Sequence, residues 1–535
     1  MTSSIPGLHY YYPTDPTHTP QAIEADLCIY GGTPGALAAA IQARRMGKSA
    51  VIAEFGRHLG GMTAGGLGAT DIGNSDAIQG ISRDFYNKLA EHYGEPAPYW
   101  YMEPHVAERF FEEMAQEAQA AVYFDQHLAS VTKDGNHITA ITMANGNVFR
   151  AKMFIDATYE GDLLAMAGVD YHVGREANSV YNETLNGIQW TSPNHDFKKP
   201  IDPYIVPGDP SSGLLPEIED APMGAAGEGD ARVQAYNFRM CLSNVAENHL
   251  PFPKPVGYDP ARYELLRRTI EAGAYEIFGH PKPMPNGKSD TNNKGAFSTD
   301  YIGGSDLWPE ADYATRERIF QEHVNYVAGF FYFLSNDEKL PAAVRDQMRE
   351  WALSKDEFTT TGGWPHQLYV REGRRMISDY VMTEHNCRGE EVCDDSIGLA
   401  AYTMDSHNCK RVVVKAGSEA AFSDTMDSVR NEGNVEAYGF PPYPISYRSI
   451  VPREAECANL LITVCLSSTH IAYGSIRMEP VFMVLGQAAG TAAVLAIDEG
   501  TSVQQVKYAT LRERLLADGQ RLEWGGEAVG ELKCN

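Results

Sequence analysis

Two sets of residues have the types and spacing to do chemistry. The first is Gly31-Gly32-Thr33-Pro34-Gly35-Ala36 with Glu54 downstream. Glycines at a turn that opens a helix let backbone N–H groups approach a pyrophosphate, and an acid further on can accept hydrogen bonds from a ribose. The second set is polar and scattered: Ser467-Ser468-Thr469-His470 with Tyr473 and Arg477, and the run Arg371-Glu372-Gly373-Arg374-Arg375. A histidine there can accept a proton, and an arginine facing inward can grip a carboxylate or an electron-rich ring.

The elements that must position the first set are legible. Residues 26–30 are a short apolar run suited to a buried parallel strand, and 35–47 are strong helix formers ending at Gly47. Residues 48–54 then form a second apolar strand ending in Glu54, completing a βαβ unit. Gly31 permits the sharp turn, Gly32 and Gly35 flank the phosphate approach, and Ala36 is small enough for the helix to lie on the strand. Thr33 stands where a second glycine is usual: its side chain crowds the phosphate, and its hydroxyl can also donate to it. Pro34 suits a first helical turn, where its missing N–H is not needed.

The next segment favours a flavin over a nicotinamide. Residues 55–73 carry seven glycines, from Gly56 to Gly73, which lets backbone lie flat against a large ligand, with Arg57, Gly60, Gly61 and Met62 as its expected contacts. From His137 onward two alternating strands meet at Asn145-Gly146, and the second runs into Ala157-Thr158-Tyr159-Glu160-Gly161-Asp162. There Ala157, Thr158, Gly161 and Asp162 are expected to touch the cofactor. Near the other end a strand and a polar loop lead to a buried helix from about Pro480, with Ser475 and Pro480 facing the flavin. The expected fold is α/β: a Rossmann-like FAD-binding domain interrupted by a large α+β substrate or cap insertion. An extension (residues 1–24) precedes the first FAD-binding segment (25–175). The cap (176–445), the second FAD-binding segment (446–510) and a tail (511–535) follow.

With these stretches in hand, the chain resembles the FAD-dependent oxidoreductase family typified by GGTPxGxxAA near the start, itself distantly similar to fumarate reductase and succinate dehydrogenase flavoproteins. Further matching stretches are RVQAYNFRMCLS (232–243), PNGKSDTNNKGAFSTDYIG (285–303), LYVREGRRMISDYVMTEHN (368–386) and EGNVEAYGFPPYPISYRSIVP (432–452). The usual turn reads Pro-Ala-Gly where this chain has Pro34-Gly35-Ala36, a swap of two small residues. In related reductases the loop equivalent to 467–477 brings an arginine to the substrate, which points to Arg477.

Within the insertion, 186–230 is rich in Pro, Gly and acids and reads as a long loop or lid, its end 219–231 flexible. Helices are expected over 259–273 and 311–337, the latter with Phe330, Phe331, Tyr332 and Phe333 in the core. Of the arginine run, Arg375 and then Arg371 are the inward candidates, because apolar residues flank it. Tyr236, Asn237 and Arg239 suggest a strand with one polar face, and Tyr447 and Arg448 are similar. His470 is either a proton acceptor or a histidine bonded to flavin or backbone. The oxygen-rich loop 289–300 lacks the spacing of a calcium loop and reads as a hydrogen-bonded turn.

Bulk properties bound the partners. A net charge of −27 over 535 residues argues against a polyanion such as nucleic acid. No run of roughly 18 apolar residues is evident, and no basic start precedes an apolar stretch, so no membrane and a cytoplasmic location are expected. The eight cysteines show no CxxC pair; Cys28 and Cys465 read as core, and Cys387, Cys393 and Cys409 lack zinc spacing, so no metal is expected. The expected activity is hydride removal from a C–H bond of a sugar, polyol or similar hydroxyl or amine compound to flavin N5, followed by transfer to an acceptor such as oxygen, a quinone or a protein. Reduction of an unsaturated carboxylate is the alternative, and a non-catalytic electron relay is the reading from another class.

Overall fold

The computed structural model describes residues 5–190, 194–273, 282–525 and 533–534. At its centre lies a sheet whose parallel region is built on β1 (Ala22–Tyr30). β2 (Ala50–Ala53) and then β3 (Ala121–Tyr123) pair outward on one side. The hairpin of β4 (Leu128–Asp134) and β5 (His137–Met143) feeds β6 (Val148–Asp156), which runs parallel to β1 along its length. The late strand β7 (Leu460–Ile462) pairs with the end of β6. Register aligns Tyr30 with Ala53 and Asp156, Ala53 with Tyr123, and Asp156 with Ile462, so five parallel strands end along one edge. That edge is where an open α/β sheet takes its ligands.

Two helices cover one face. α1 (Pro34–Arg45) follows β1, and it packs on a helix from near the other end of the chain, Glu479–Glu499. Their approach is set by missing side chains: a Cβ on Gly486 would overlap the Gly35 carbonyl oxygen, and one on Gly490 would lie 2.6 Å from that of Ala39. Contrary to the expectation from sequence, Glu479–Glu499 is long and apolar enough to cross a membrane, with mean hydropathy 1.8. Here 89% of that stretch is buried within the fold, against α1, which accounts for its composition.

The insertion contributes a five-stranded antiparallel sheet (order Lys282–Met284, Lys288–Thr291, Met240–Ser243, Ala352–Ser354, His249–Leu250) and the helix α2 (Tyr313–Asn336). Asp312 caps α2 by accepting the Thr315 N–H at 2.8 Å. Phe330, Phe331 and Phe333 are buried, as expected of core residues, whereas Tyr332 is only half-buried because it lies on the outer face of the helix. The helix expected over 259–273 is shorter, a 3₁₀ turn Pro260–Tyr263 leading into Glu264–Glu271, because Pro260 opens it. The end of the long loop is tied down rather than loose: the Asp230 carboxylate takes Arg175 Nε at 2.9 Å and Nη2 at 2.6 Å. The expected lid residues 191–193 lie outside the described residues.

Candidate functional site

The turn after β1 is closely packed against the residues after β6 and β2. Gly31 has φ +98°, and a Cβ there would lie 2.9 Å from the Ala157 carbonyl. At Gly32 a Cβ would lie 2.8 Å from Leu59 and 3.0 Å from a Glu54 oxygen. Pro34 is the first residue of α1. The Thr33 hydroxyl donates to Ala157 O at 2.8 Å, joining the first nucleotide segment to the second. No side chain caps α1, so its N-terminal N–H groups point to the turn without a side-chain acceptor. Glu54 accepts from the N–H groups of Gly32 and, at 2.6 Å, Gly56. Burial pushes its carboxyl up to about 7, against the pull of those two N–H groups.

The glycine-rich segment folds back beneath this turn. Gly60, Gly61 and Gly66 have φ of +92°, +47° and +118°, and side chains there would overlap Phe111, Tyr159 and the Arg239 carbonyl respectively. Met62 N–H donates to the Tyr159 hydroxyl at 2.8 Å, which donates to Glu479 at 2.7 Å. One tyrosine thus ties the glycine segment, the residues after β6 and the start of the Glu479–Glu499 helix, whose second residue is Pro480. The Asp156 carboxylate holds the N–H and hydroxyl of Thr158 at 3.0 and 2.7 Å and Leu164 N–H at 3.0 Å. Gly161, with φ +69°, lies where a Cβ would be 3.1 Å from Cys465 Sγ.

Two expected cofactor contacts are otherwise engaged. Asp162 is claimed by Arg316 at 2.6 and 2.9 Å and Arg374 at 2.7 Å, so it joins the nucleotide half to the insertion. Ser475 lies inside a short helix rather than a loop, between Tyr402 O at 2.5 Å and the Tyr443 hydroxyl at 2.7 Å. Arg57 sits at the rim, bonded to Asp125 at 2.9 Å and over the Tyr12 ring at 3.6 Å.

Beside the glycine segment lies a polar cavity of about 260 Å³, reached by Met478, the cap of the Glu479–Glu499 helix. Three arginines surround its Tyr369: Arg371, Arg239 and Arg477 lie 4.6, 5.7 and 5.7 Å from the ring centroid. Each has its own carboxylate. Arg239 Nε meets Asp290 at 2.8 Å, Arg371 meets Asp300 at 3.0 Å, and Arg477 meets Asp405 at 2.7 Å. Arg477 also donates to the Tyr369 hydroxyl at 3.1 Å. His407 bonds Asp300 through Nδ1 at 2.8 Å, with Nε2 3.5 Å from Asp405. Burial pushes Asp300 and Asp405 up, but Arg371 and His407, and for Asp405 also Arg477, hold both below the usual carboxylate range. His195 stacks on His407 with centroids 6.4 Å apart; burial and that neighbour push it down.

A model of the FAD dependent oxidoreductase family matches residues 26–515. The chain belongs to that family. No curated protein matches it. Among solved structures, the flavin-dependent brominase Bmp2 is similar over 29% of this chain and 42% of its own, at 19% identity and TM-score 0.22. Thermovibrio ammonificans THI4 is similar over 30% of this chain and 71% of its own, at 22% identity and TM-score 0.22. A 3-ketosteroid dehydrogenase from Rhodococcus jostii RHA1 is similar over 29% of this chain and 50% of its own, at 15% identity and TM-score 0.20.

Several expected catalytic residues are bonded into the protein around them. His470 is buried with both ring nitrogens taken, Nδ1 by Glu372 at 2.7 Å and Nε2 by Ser406 at 3.0 Å. Burial, then Arg375 and Arg175, push it down to about 3, so it stays neutral. Arg375 is spent on Glu372, Glu176 at 2.7 Å and the carbonyls of Ser468 and Gly174 at 3.0 and 2.8 Å. The Tyr447 hydroxyl donates to Val503 O at 2.7 Å, beyond the far end of the Glu479–Glu499 helix, and Arg448 pairs with Asp394 and Asp395. Of the expected set, Arg239 lines the cavity, and Arg477 reaches it only through Tyr369 and Asp405.

His407, Asp405, Asp300 and Tyr369 were not foreseen. The available signal was Asp405 and His407 alternating beyond apolar residues, and the oxygen-rich loop 289–300, which supplies Asn292, Asn293 and Asp300 instead of closing on itself. Cys28, Cys465, Cys387, Cys393 and Cys409 are buried free thiols. Among the described residues Glu103, His105 and Glu357 group with metal-like spacing. The Lys288 ammonium fills that position, 2.8 Å from Glu103 and 2.5 Å from Glu357.

Proposed function

We propose that this oxidoreductase oxidises a hydroxyl-bearing carbon of a small neutral polyhydroxylated compound, a sugar or polyol, in the cavity around Tyr369. The observation that carries the reading is charge pairing: Arg239, Arg371 and Arg477 each meet a dedicated aspartate, so the cavity offers many hydrogen bonds and no uncompensated guanidinium. The turn of Gly31 and Gly32 at the uncapped N-terminus of α1, at the carboxyl edge of the parallel sheet, is where FAD would be held, with the Gly60–Gly66 backbone packed closely beside it. Bound FAD supplies the hydride acceptor.

The residues of the chain do the rest. Asp300 orients His407 through Nδ1, and in the neutral ring with its proton on Nδ1 the Nε2, 3.5 Å from Asp405, would take the substrate hydroxyl proton. Tyr369 and the amides Asn292 and Asn293 offer hydrogen bonds that orient the remaining hydroxyls. The arginines counted in favour of an unsaturated carboxylate are the ones already neutralised.

The test is anaerobic mixing of the FAD-loaded protein with neutral sugars and polyols, following loss of the visible flavin absorbance. Bleaching by a neutral compound supports the proposal. Indifference to all of them, together with reoxidation of the photoreduced protein by fumarate, would replace it with the enoate reading.

A further inference from the structure

The four polar residues of the loop Ser467-Ser468-Thr469-His470 are not used alike. Ser467 Oγ accepts the Ser378 N–H at 3.1 Å, Thr469 donates to Glu183 at 2.7 Å, and His470 has both ring nitrogens taken. Ser468 is 2% exposed, and its hydroxyl has no partner within the protein. A buried hydroxyl left unbonded is costly, so it marks a place where something from outside the chain completes the hydrogen bonding.

Ser468 lines a cavity of about 500 Å³ that shares no lining residue with the cavity around Tyr369. That size lies within the roughly 300–1,000 Å³ of small-molecule pockets. One wall is the antiparallel pair of Tyr171–His172 with Arg375–Met376, and another is the single helical turn Asn178–Tyr181. His172 also lines the cavity, and its Nε2 is a second buried atom without a partner. The two residues are held near one another through Arg375, which lies opposite His172 in the strand pair and donates through Nε to Ser468 O at 3.0 Å.

The rest of the lining decides what chemistry fits. Val173, Val180, Met376, Ile377 and Val381 make it largely apolar. The charged residues that border it are spent on other partners. Arg175 meets Asp230 at 2.6 Å and Glu432 at 2.7 Å, and Glu176 accepts from Arg375 at 2.7 Å and from the His470 N–H at 3.0 Å. Burial pushes the His172 ring down, so it is neutral near pH 7. The cavity therefore offers two neutral hydrogen-bonding groups between apolar walls and no unpaired charge. Such a place disfavours a phosphate, a carboxylate or an ammonium, whose desolvation nothing would offset.

We propose that this cavity is a second small-molecule site, for a neutral and largely apolar compound whose carbonyl or hydroxyl oxygen bonds to Ser468 Oγ and His172 Nε2. Quinones and phenols share that chemistry, because a serine hydroxyl and a neutral imidazole can each donate or accept according to the oxygen they meet. The site stands apart from the sugar or polyol reading, since it concerns a different cavity.

Equilibrium dialysis of the FAD-loaded protein against tetramethyl-p-benzoquinone and against tetramethylphenol tests it, with hydrogen exchange to locate the binding. Saturable binding that slows exchange at the Val180 and Tyr181 amides supports the site, and the tighter of the two compounds tells whether carbonyl or hydroxyl oxygens are its target. Ser468→Ala should weaken that binding about fivefold, the worth of one hydrogen bond. Val180→Glu sets a charge at the mouth, at a residue 59% exposed where folding tolerates the change, and should weaken it about tenfold or more. Absence of saturable binding, protection confined to Asn292 and Asn293 beside Tyr369, or unchanged affinity in both variants overturns the proposal.

Discussion

Around the nucleotide turn, Glu54, Asp156, Glu160 and Glu479 are buried with backbone N–H groups and hydroxyls as their bonded partners, and burial pushes them up to about 7, 6, 7 and 8. In the polar cavity, Asp300 and Asp405 are held low by guanidinium and imidazole neighbours although burial opposes it. In one half burial acts on carboxyls that have no guanidinium bonded to them; in the other Asp290, Asp300 and Asp405 each meet an arginine. The contrast teaches that buried carboxyls without a cationic partner are raised, whereas those given guanidinium partners are held low; on the proposed function the first region is completed by its cofactor and the second selects by hydrogen bonding. It also sets opposite responses to acid and base.

The largest effect should come from breaking a pair in the polar cavity. Arg371→Met leaves Asp300 buried with His407 alone and should cost about 3–5 kcal/mol in urea unfolding. A loss below about 1 kcal/mol would mean that water already screens the pair, and the contrast would fail. Next, His407→Ala should slow substrate-driven flavin bleaching on the order of 100-fold or more, while His470→Ala should act through stability and leave the pH profile of that step in place. Equal pH profiles for wild type and His407→Ala would remove His407 from proton transfer.

The acid–base asymmetry gives a smaller, signed effect. A carboxyl whose folded value lies above its unfolded one binds more protons when folded, so that stability is full in acid and falls as pH rises. For Glu479 the window runs from about 4.5 to about 8. Glu479→Gln apoprotein should therefore gain thermal stability over wild type at pH about 9 and none at pH about 4. Asp300 acts in the other direction, losing its contribution only as pH drops through its depressed value. A gain for Glu479→Gln that is the same at both pH values would contradict the sign. The smallest change is Thr33→Val, which removes one hydrogen bond to Ala157 and should cost about 1 kcal/mol with FAD affinity nearly unchanged.

What was legible in the sequence follows the same division. The turn at Gly31, the acid at Glu54 and the hairpin into β6 are local patterns, and local patterns survive reading along a chain. Asp162 shows the limit, because a residue inside a nucleotide motif was expected to touch the nucleotide, and its partners Arg316 and Arg374 are far along the chain. His470 and His407 show it more sharply. Both are histidines in polar surroundings, and only the fold turns one into Glu372 and Ser406 and the other toward a cavity beside Tyr369. The glycines Gly486 and Gly490 of the Glu479–Glu499 helix gain their meaning only from the fold, which brings Gly35 and Ala39 of α1 against them.

That last pairing has a consequence for how the protein is made. α1 (Pro34–Arg45) is synthesised long before its covering helix Glu479–Glu499, so the nucleotide half stays open on one side until that helix has left the ribosome. Fragments ending before residue 479 would expose an alanine-rich surface with nothing to dock against it. Such fragments should aggregate or be held by chaperones, whereas addition of the missing carboxyl-terminal piece in trans should rescue them.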